Sequence, residues 1–195
     1  MEPKETDKQM MPPLYNAPSM PVPLPVAERN HPAGHTFLCG PLYLKSYVNL
    51  HLEPNSRLLA NPDESIYTES AFRENRGEGM MWISGKDLKQ ISITGTGEID
   101  GNGIAFMGKE LDDSYELKPV TDFDPRPHVL TLINVEKTVI RDITIRNSAY
   151  WTIHLIGCYD ALIDGISLLN NLKIRNGDGI DVDHSKKSTY SELLH

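Results

Sequence analysis

The chain has 195 residues, a formal net charge of −8 at pH 7 and only two cysteines, Cys39 and Cys158. That length fits one domain with a tail, and Leu, Ile, Val and Phe make up about a quarter of it, above the roughly 20% typical of disordered chains. The acidic balance excludes the basic footprint of a nucleic-acid binder, no window nears the ~18 apolar residues of a membrane span, and two cysteines cannot build a disulfide scaffold or a cysteine-rich metal site.

Residues 1–30 hold seven of the fourteen prolines and no glycine. Proline fixes φ and lacks an N–H, so this stretch is expected to be an extended or disordered leader. It lacks the basic-then-apolar order of a secretory signal, and the compartment stays unassigned. From residue 31 onward, short β-rich runs bounded by Gly, Asn and Asp take over. Early examples are YVNLHLEPNSRLL (47–59) and LKQISITGTGEIDGNG (88–103). The Gly-rich piece is not a dinucleotide loop, because Asp100 stands where the third glycine is required. Residues 104–128 are polar and acidic and read as a loop inserted on the wall of the fold.

The later chain repeats itself. NVEKTVIRDITIRN (134–147) aligns with GCYDALIDGISLLN (157–170), which puts Val139 and Ile140 on Leu162 and Ile163, and Ile145 on Leu168. A second offset sets Ile153 over Ile180, His154 over Asp181 and Leu155 over Val182. Units of this size, with alternating apolar residues and no hairpin turns between strands, predict an all-β fold: a right-handed parallel β-helix over 31–195. In the last unit Ser188 and Thr189 replace the apolar pair. The solenoid is therefore expected to break off in mid-coil.

RNGDGIDVDHSKK (175–187) carries the sharpest cluster of chemistry. On a strand, Ile180 and Val182 take the core face and Asp181 and Asp183 point outward, with Asp178 in the preceding turn. Fixed outward carboxylates suit acid–base chemistry, although a solvated polar face has the same spacing. An EF-hand register fails, since Ile180 falls on a ligand position. No metal or cofactor is therefore assigned. One coil earlier, His154 alternates with Ile153 and Leu155 and is expected to face outward over Asp181, roughly 4.8 Å away. Trp151 beside it reads equally as a sugar platform or as a packed exterior aromatic.

Four segments in succession resemble glycoside hydrolase family 28, the polygalacturonases: residues 32–59, ITGTGEIDGNG (93–103), RPHVLTLINVEKTVIRDITIRNSAYWTIHLIGC (126–158) and NGDGIDVDHSKK (176–187). The resemblance covers about four-fifths of the chain. It implies a parallel β-helix that hydrolyses α-1,4-galacturonan with inversion, without metal or cofactor, as a monomer. Family members are commonly secreted or periplasmic. The family's Asn-Thr-Asp motif reads Asn176-Gly177-Asp178 here, with Gly replacing Thr. By that match Asp178 helps activate the attacking water and Asn176 supports it; His154 and Asp181 are carried as cleft residues. The family's second aspartate motif, its Gly-His-Gly and its Arg-Ile-Lys are expected outside residues 1–195, so this stretch alone is expected to lack turnover. A non-catalytic sugar-binding or remnant β-helix, and a hydrolase of another pectic polymer such as rhamnogalacturonan, remain as alternatives.

Overall fold

A computed structural model describes residues 27–31, 33–72, 74, 77–112, 114–120 and 125–191. The proline-rich stretch 1–26 lies outside the described residues. The chain winds through repeating coils of three short strands each. The first coil holds β1 (Ala27–His31), β2 (Thr36–Cys39) and β3 (Leu42–Tyr43). The second holds β4 (Val48–Leu52), β5 (Arg57–Ala60) and β6 (Met80–Lys86). The third holds β7 (Lys89–Gly95) and β8 (Glu98–Asp100), then an excursion, β9 (Met107–Glu110) and β10 (Leu117–Pro119), before β11 (Pro127–Ile133). The fourth holds β12 (Glu136–Arg141), β13 (Thr144–Arg146) and β14 (Ile153–Ile156). The fifth holds β15 (Tyr159–Asp164), β16 (Ser167–Leu169) and β17 (Ile180–Asp183), and β18 (Lys186–Ser191) follows.

With the β9–β10 excursion set aside, every third strand joins the same sheet. The three parallel sheets run β1-β4-β7-β12-β15-β18, β2-β5-β8-β13-β16 and β3-β6-β11-β14-β17, which makes a parallel β-helix. The predicted registers hold: Val139 lies beside Leu162 and Ile140 beside Ile163, Ile145 beside Leu168, and His154 beside Asp181. The first sheet begins with β1, four residues before the expected boundary at 31. Residues 104–128 are not one loop: they contain the antiparallel β9–β10 hairpin and the start of β11.

The interior is a set of aliphatic ladders, one from each sheet. Ile93, Ile140 and Ile163 stack in the first, Ile99, Ile145 and Leu168 in the second, and Ile83, Leu130 and Ile153 in the third. All nine are buried, and each such side chain contributes about 1.5–3 kcal/mol relative to exposure. The third ladder continues to Ile180, half-buried, and its neighbour Val182 is 46% exposed, because β17 has no partner strand on its far side among the described residues.

Register depends on the bends. In four of the five bends between the third sheet and the next coil, those after β6, β11, β14 and β17, the chain turns through two residues and the first of them is left-handed: Asp87 (φ 54°), Asn134 (53°), Gly157 (61°) and His184 (52°). Asp, Asn and Gly tolerate that conformation. Their backbone amides extend the sheet: Asp87 donates to Ile133 O, Asn134 to Ile156 O and Gly157 to Asp183 O, at 2.7–2.9 Å. Asn134 Nδ2 also donates to Asp87 Oδ1 at 3.0 Å, tying one coil to the next. At the opposite corner, fully buried Asp100 accepts from the Arg57 guanidinium, from Asn147 Nδ2 and from the Asn102 amide.

Gly157→Ala tests the bend. A Cβ there would meet Asn134 Oδ1 at 2.7 Å, on a backbone at φ +61°. The left-handed conformation alone costs a non-glycine residue about 1–2 kcal/mol, so the urea midpoint should fall by at least that equivalent with an unchanged slope. An unaltered midpoint would show that the bend does not fix register.

Candidate active site

The third sheet carries the site because its outward face alternates with the core ladder. Ser84, Thr131, His154 and Asp181 form one outward row; Lys86, Ile133, Ile156 and Asp183 form the next. Along the first row, Ser84, Thr131 and His154 are buried, and only at Asp181 does the face begin to open. There a cleft of about 580 Å³ lies over β14 and β17, lined by Phe72, Trp151, His154, Ile156, Asp181 and Asp183 among others.

His154 therefore departs from expectation. It points away from the core as predicted, but it is 4% exposed rather than solvated. A ring cluster covers it. Trp151 meets it edge-on at 4.8 Å, and His128 lies 5.4 Å away. His128 stacks on Tyr150 at 5.0 Å with only 6° between the planes. Phe72 presses edgewise on His128 and Trp151 at 5.6 and 5.5 Å. Trp151 is thus both packed exterior aromatic and cleft wall. Phe72 and His128 were not legible as site residues: Phe72 belongs to an insertion without periodicity, and His128 opens a strand inside a stretch that reads as loop.

Asp178 sits on a turn fixed from four sides. The Thr152 amide donates to Asp178 O at 2.8 Å and the Ile153 amide to Gly179 O at 3.1 Å. Asn170 Nδ2 donates to Gly177 O and to Thr152 Oγ1, and its Oδ1 accepts from the Ser148 amide. Buried Arg126 donates to Ala149 O at 2.8 Å and to Arg175 O at 2.9 Å, its guanidinium 4.9 Å from the Tyr150 ring centre. Asn176 is exposed and left-handed at φ 62°, so its place in the site is that of a turn residue. Asp178 itself is exposed, on a backbone with little freedom to move. Asn170 recurs at the position of Asn147 in the repeat, and that is the one sequence signal for its role. Arg126 gave none.

Burial sets the electrostatics. Asp181 has its pKa pushed up to about 6, by burial first and then by the neighbouring Asp178 charge. Its Oδ2 has no hydrogen-bond partner among the described residues. Burial, and secondarily the nearby His154, pushes His128 down to about 3. Burial also lowers His154, with Asp183 acting in the opposite direction. At neutral pH the floor thus holds neutral imidazoles beside a group of aspartates. Among the described residues no three His, Cys, Asp or Glu side chains converge as a metal site.

These shifts act on stability with opposite signs. His128 is held neutral when folded, so its contribution is full above about pH 6.5 and is lost as pH falls toward about 3. Asp181 is raised, so folding loses stability as pH climbs from 3.8 to about 6. Asp181→Asn should therefore raise the urea midpoint relative to wild type by a margin that grows from about pH 4 to about pH 6 and is constant above. A margin that shrinks over that range contradicts the desolvated carboxyl.

Comparison with known proteins places this geometry. The profile of Glycosyl hydrolases family 28 matches residues 42–192. A probable polygalacturonase of Vitis vinifera is 30% identical over 165 residues, covering 78% of this chain and 31% of the relative. An exopolygalacturonase of Zea mays is 27% identical, covering 81% of this chain and 36% of its own length. The chain thus spans about a third of the length of the curated relatives it matches. The Yersinia enterocolitica family 28 exopolygalacturonase structure superposes with a TM-score of 0.72 at 21% identity, over 87% of this chain and 37% of that one. The polygalacturonase of Erwinia carotovora gives 0.65 at 23%, over 81% and 44%; both structures share the parallel β-helix. With the profile matching from the first coil to β18, the chain belongs to glycosyl hydrolases family 28.

Proposed function

We propose that this chain carries the water-activating side of an inverting hydrolase that cleaves α-1,4-galacturonan, with Asp178 in the base machinery. The observation that supports this most directly is the exposed Asp178 carboxyl on its clamped turn, beside an aspartate that burial keeps protonated up to about pH 6. A general base must combine a fixed position with solvent access, and Asp178 has both. The relatives' printed names, polygalacturonase and exopolygalacturonase, point to galacturonan as the polymer.

In an inverting cleavage, water attacks the anomeric carbon on the face opposite the leaving group, and two carboxyl groups about 6.5–9.5 Å apart divide the proton traffic. In this reading Asp178 takes a proton from the attacking water as its oxygen bonds to C1. The bond from C1 to the bridging oxygen breaks, and a general acid protonates that oxygen. In the family that acid belongs to the second aspartate motif. His154 and Asp181 form the floor against which the sugar is seated, and Asn176 shapes the turn.

In the protein at its full natural length, Asp178→Asn should cut release of reducing ends from polygalacturonate by about 10²–10⁴-fold. Oligogalacturonide affinity should change little. Wild-type turnover in that variant overturns the assignment; loss of binding together with turnover would make Asp178 a binding group instead.

A further inference from the structure

The sequence holds two Asn-Gly pairs, Asn102-Gly103 and Asn176-Gly177. An asparagine before glycine is chemically labile, because the glycine nitrogen can reach the side-chain carbonyl and no Cβ hinders the approach. Two conditions decide whether a given pair reacts. The asparagine carboxamide must be unbonded, and the glycine amide must be free to turn toward it.

Both asparagines have nearly the same backbone, left-handed at φ 53° and 62°. Their surroundings are opposite. Asn102 Nδ2 donates to Ala60 O at 3.0 Å, and the Gly103 amide donates to Asn147 O at 2.7 Å. Gly103 is buried, and a Cβ there would come within 2.5 Å of Ser148 O. Asn176 is exposed, and neither its carboxamide nor the Gly177 amide has a hydrogen-bond partner among the described residues.

The main chain on either side of the second pair is anchored. Arg175 O accepts from Arg126, and Gly177 O accepts from Asn170 Nδ2. The Asn176–Gly177 peptide lies between these anchors and makes no backbone hydrogen bond of its own among the described residues. It can rotate in place, about ψ of Asn176 and φ of Gly177, while the anchored carbonyls stay put. Glycine permits that rotation because it is at ease at positive φ. At rest Gly177 has no need of this freedom. Its φ lies outside the left-handed region, and a Cβ there would meet Ile174 O at 3.3 Å and Ser148 Oγ at 3.8 Å. The glycine that replaces the family's Thr thus contributes reactivity and not geometry.

We infer that Asn176 is the site of spontaneous deamidation in this chain, and that the reaction remodels the turn carrying Asp178. The Gly177 nitrogen, its proton lost to hydroxide, attacks Cγ of Asn176. A C–N bond forms, the bond from Cγ to Nδ2 breaks, and ammonia leaves with a proton from water. Water then opens the resulting succinimide at either carbonyl. Opening at Cγ gives aspartate; opening at the main-chain carbonyl gives isoaspartate. Isoaspartate routes the main chain through Cβ and lengthens it by one carbon between the two anchored carbonyls. The anchors cannot then both hold, and Asp178 loses its fixed position. Either product also adds a carboxylate beside Asp178. The reaction needs no substrate and stands apart from the galacturonan reading.

The test holds the folded chain in mildly alkaline buffer and compares the peptides carrying residues 102 and 176 by mass spectrometry. Isoaspartate is scored by methyl transfer from S-adenosylmethionine with an isoaspartyl methyltransferase. Residue 176 should convert, faster as pH rises, while residue 102 stays asparagine. In urea the two should convert at similar rates. Gly177→Thr should slow conversion at 176 by about 5–30-fold, because positive φ disfavours a residue with a Cβ. Gly177→Ala repeats the test with only the Cβ added. Equal conversion of both asparagines in the folded chain, or protection of both, overturns the inference. An unchanged rate in both variants overturns the part given to Gly177. In the converted fraction, hydrogen exchange at the Thr152 and Ile153 amides should quicken, since they donate to Asp178 O and Gly179 O. Unchanged protection there would show that the turn absorbs the extra carbon, and would overturn the remodelling.

Discussion

Everything in this protein that looks like a site depends on register between coils. A one-residue slip in a β-strand moves every side chain to the opposite face. Here such a slip would put Ile153 outside and His154 in the core. The two-residue bends between the third sheet and the next coil prevent it. Their left-handed first residues, Asp87, Asn134, Gly157 and His184, fall at equivalent positions although the coils differ in length. The Asn134 to Asp87 hydrogen bond and the close approach of Gly157 to Asn134 lock successive bends together. The outward column Ser84–Thr131–His154–Asp181 is a consequence of that corner.

The same geometry accounts for the unusual electrostatics. Outward positions of a solenoid are ordinarily wet, and a histidine or aspartate there titrates normally. On this sheet the insertion carrying Phe72 removes water from positions the pleat would have exposed. His128 and His154 become weak bases and Asp181 a weak acid, chiefly through desolvation. The arrangement costs stability wherever a charged form is disfavoured. That cost is carried by the stacked aliphatic ladders beneath, which are buried from Leu50 on β4 to Leu168 on β16.

How much of this was legible in the sequence follows from the range of each interaction. The ladders repeat locally, so the offsets that align Ile140 with Ile163 and His154 with Asp181 give strand neighbours directly. The aspartates of β17 could be placed outward from alternation alone. The burial of His154 could not. It depends on Phe72, far earlier in the chain, in a segment with no apolar period. His128 was obscured by the β9–β10 hairpin, which has the composition of a loop because its strands stand away from the core. Arg126 carries no motif at all. Its function is to bond two carbonyls, of Ala149 and Arg175, that are brought together only by the finished fold.

The distribution of extra length along the chain shows why the site lies where it does. Bends from the third sheet to the first stay short in every coil, and those from the first to the second nearly so. Almost all irregular length falls at one corner, between the second sheet and the third: residues 61–79, 101–126, 147–152 and 170–179. These segments supply Phe72, Arg126, Trp151 and Asp178, in that order. All four segments lead into the third sheet at the N-terminal ends of its strands. A solenoid tolerates insertions only where they do not disturb the stacking of the next coil. Since the bend from the third sheet is fixed by its left-handed residue, the corner preceding that sheet is the one free to vary. The rigid corner sets the register of the carboxylates and the variable corner builds what surrounds them. In this family member, change in specificity can therefore accumulate without cost to the ladders that hold the fold.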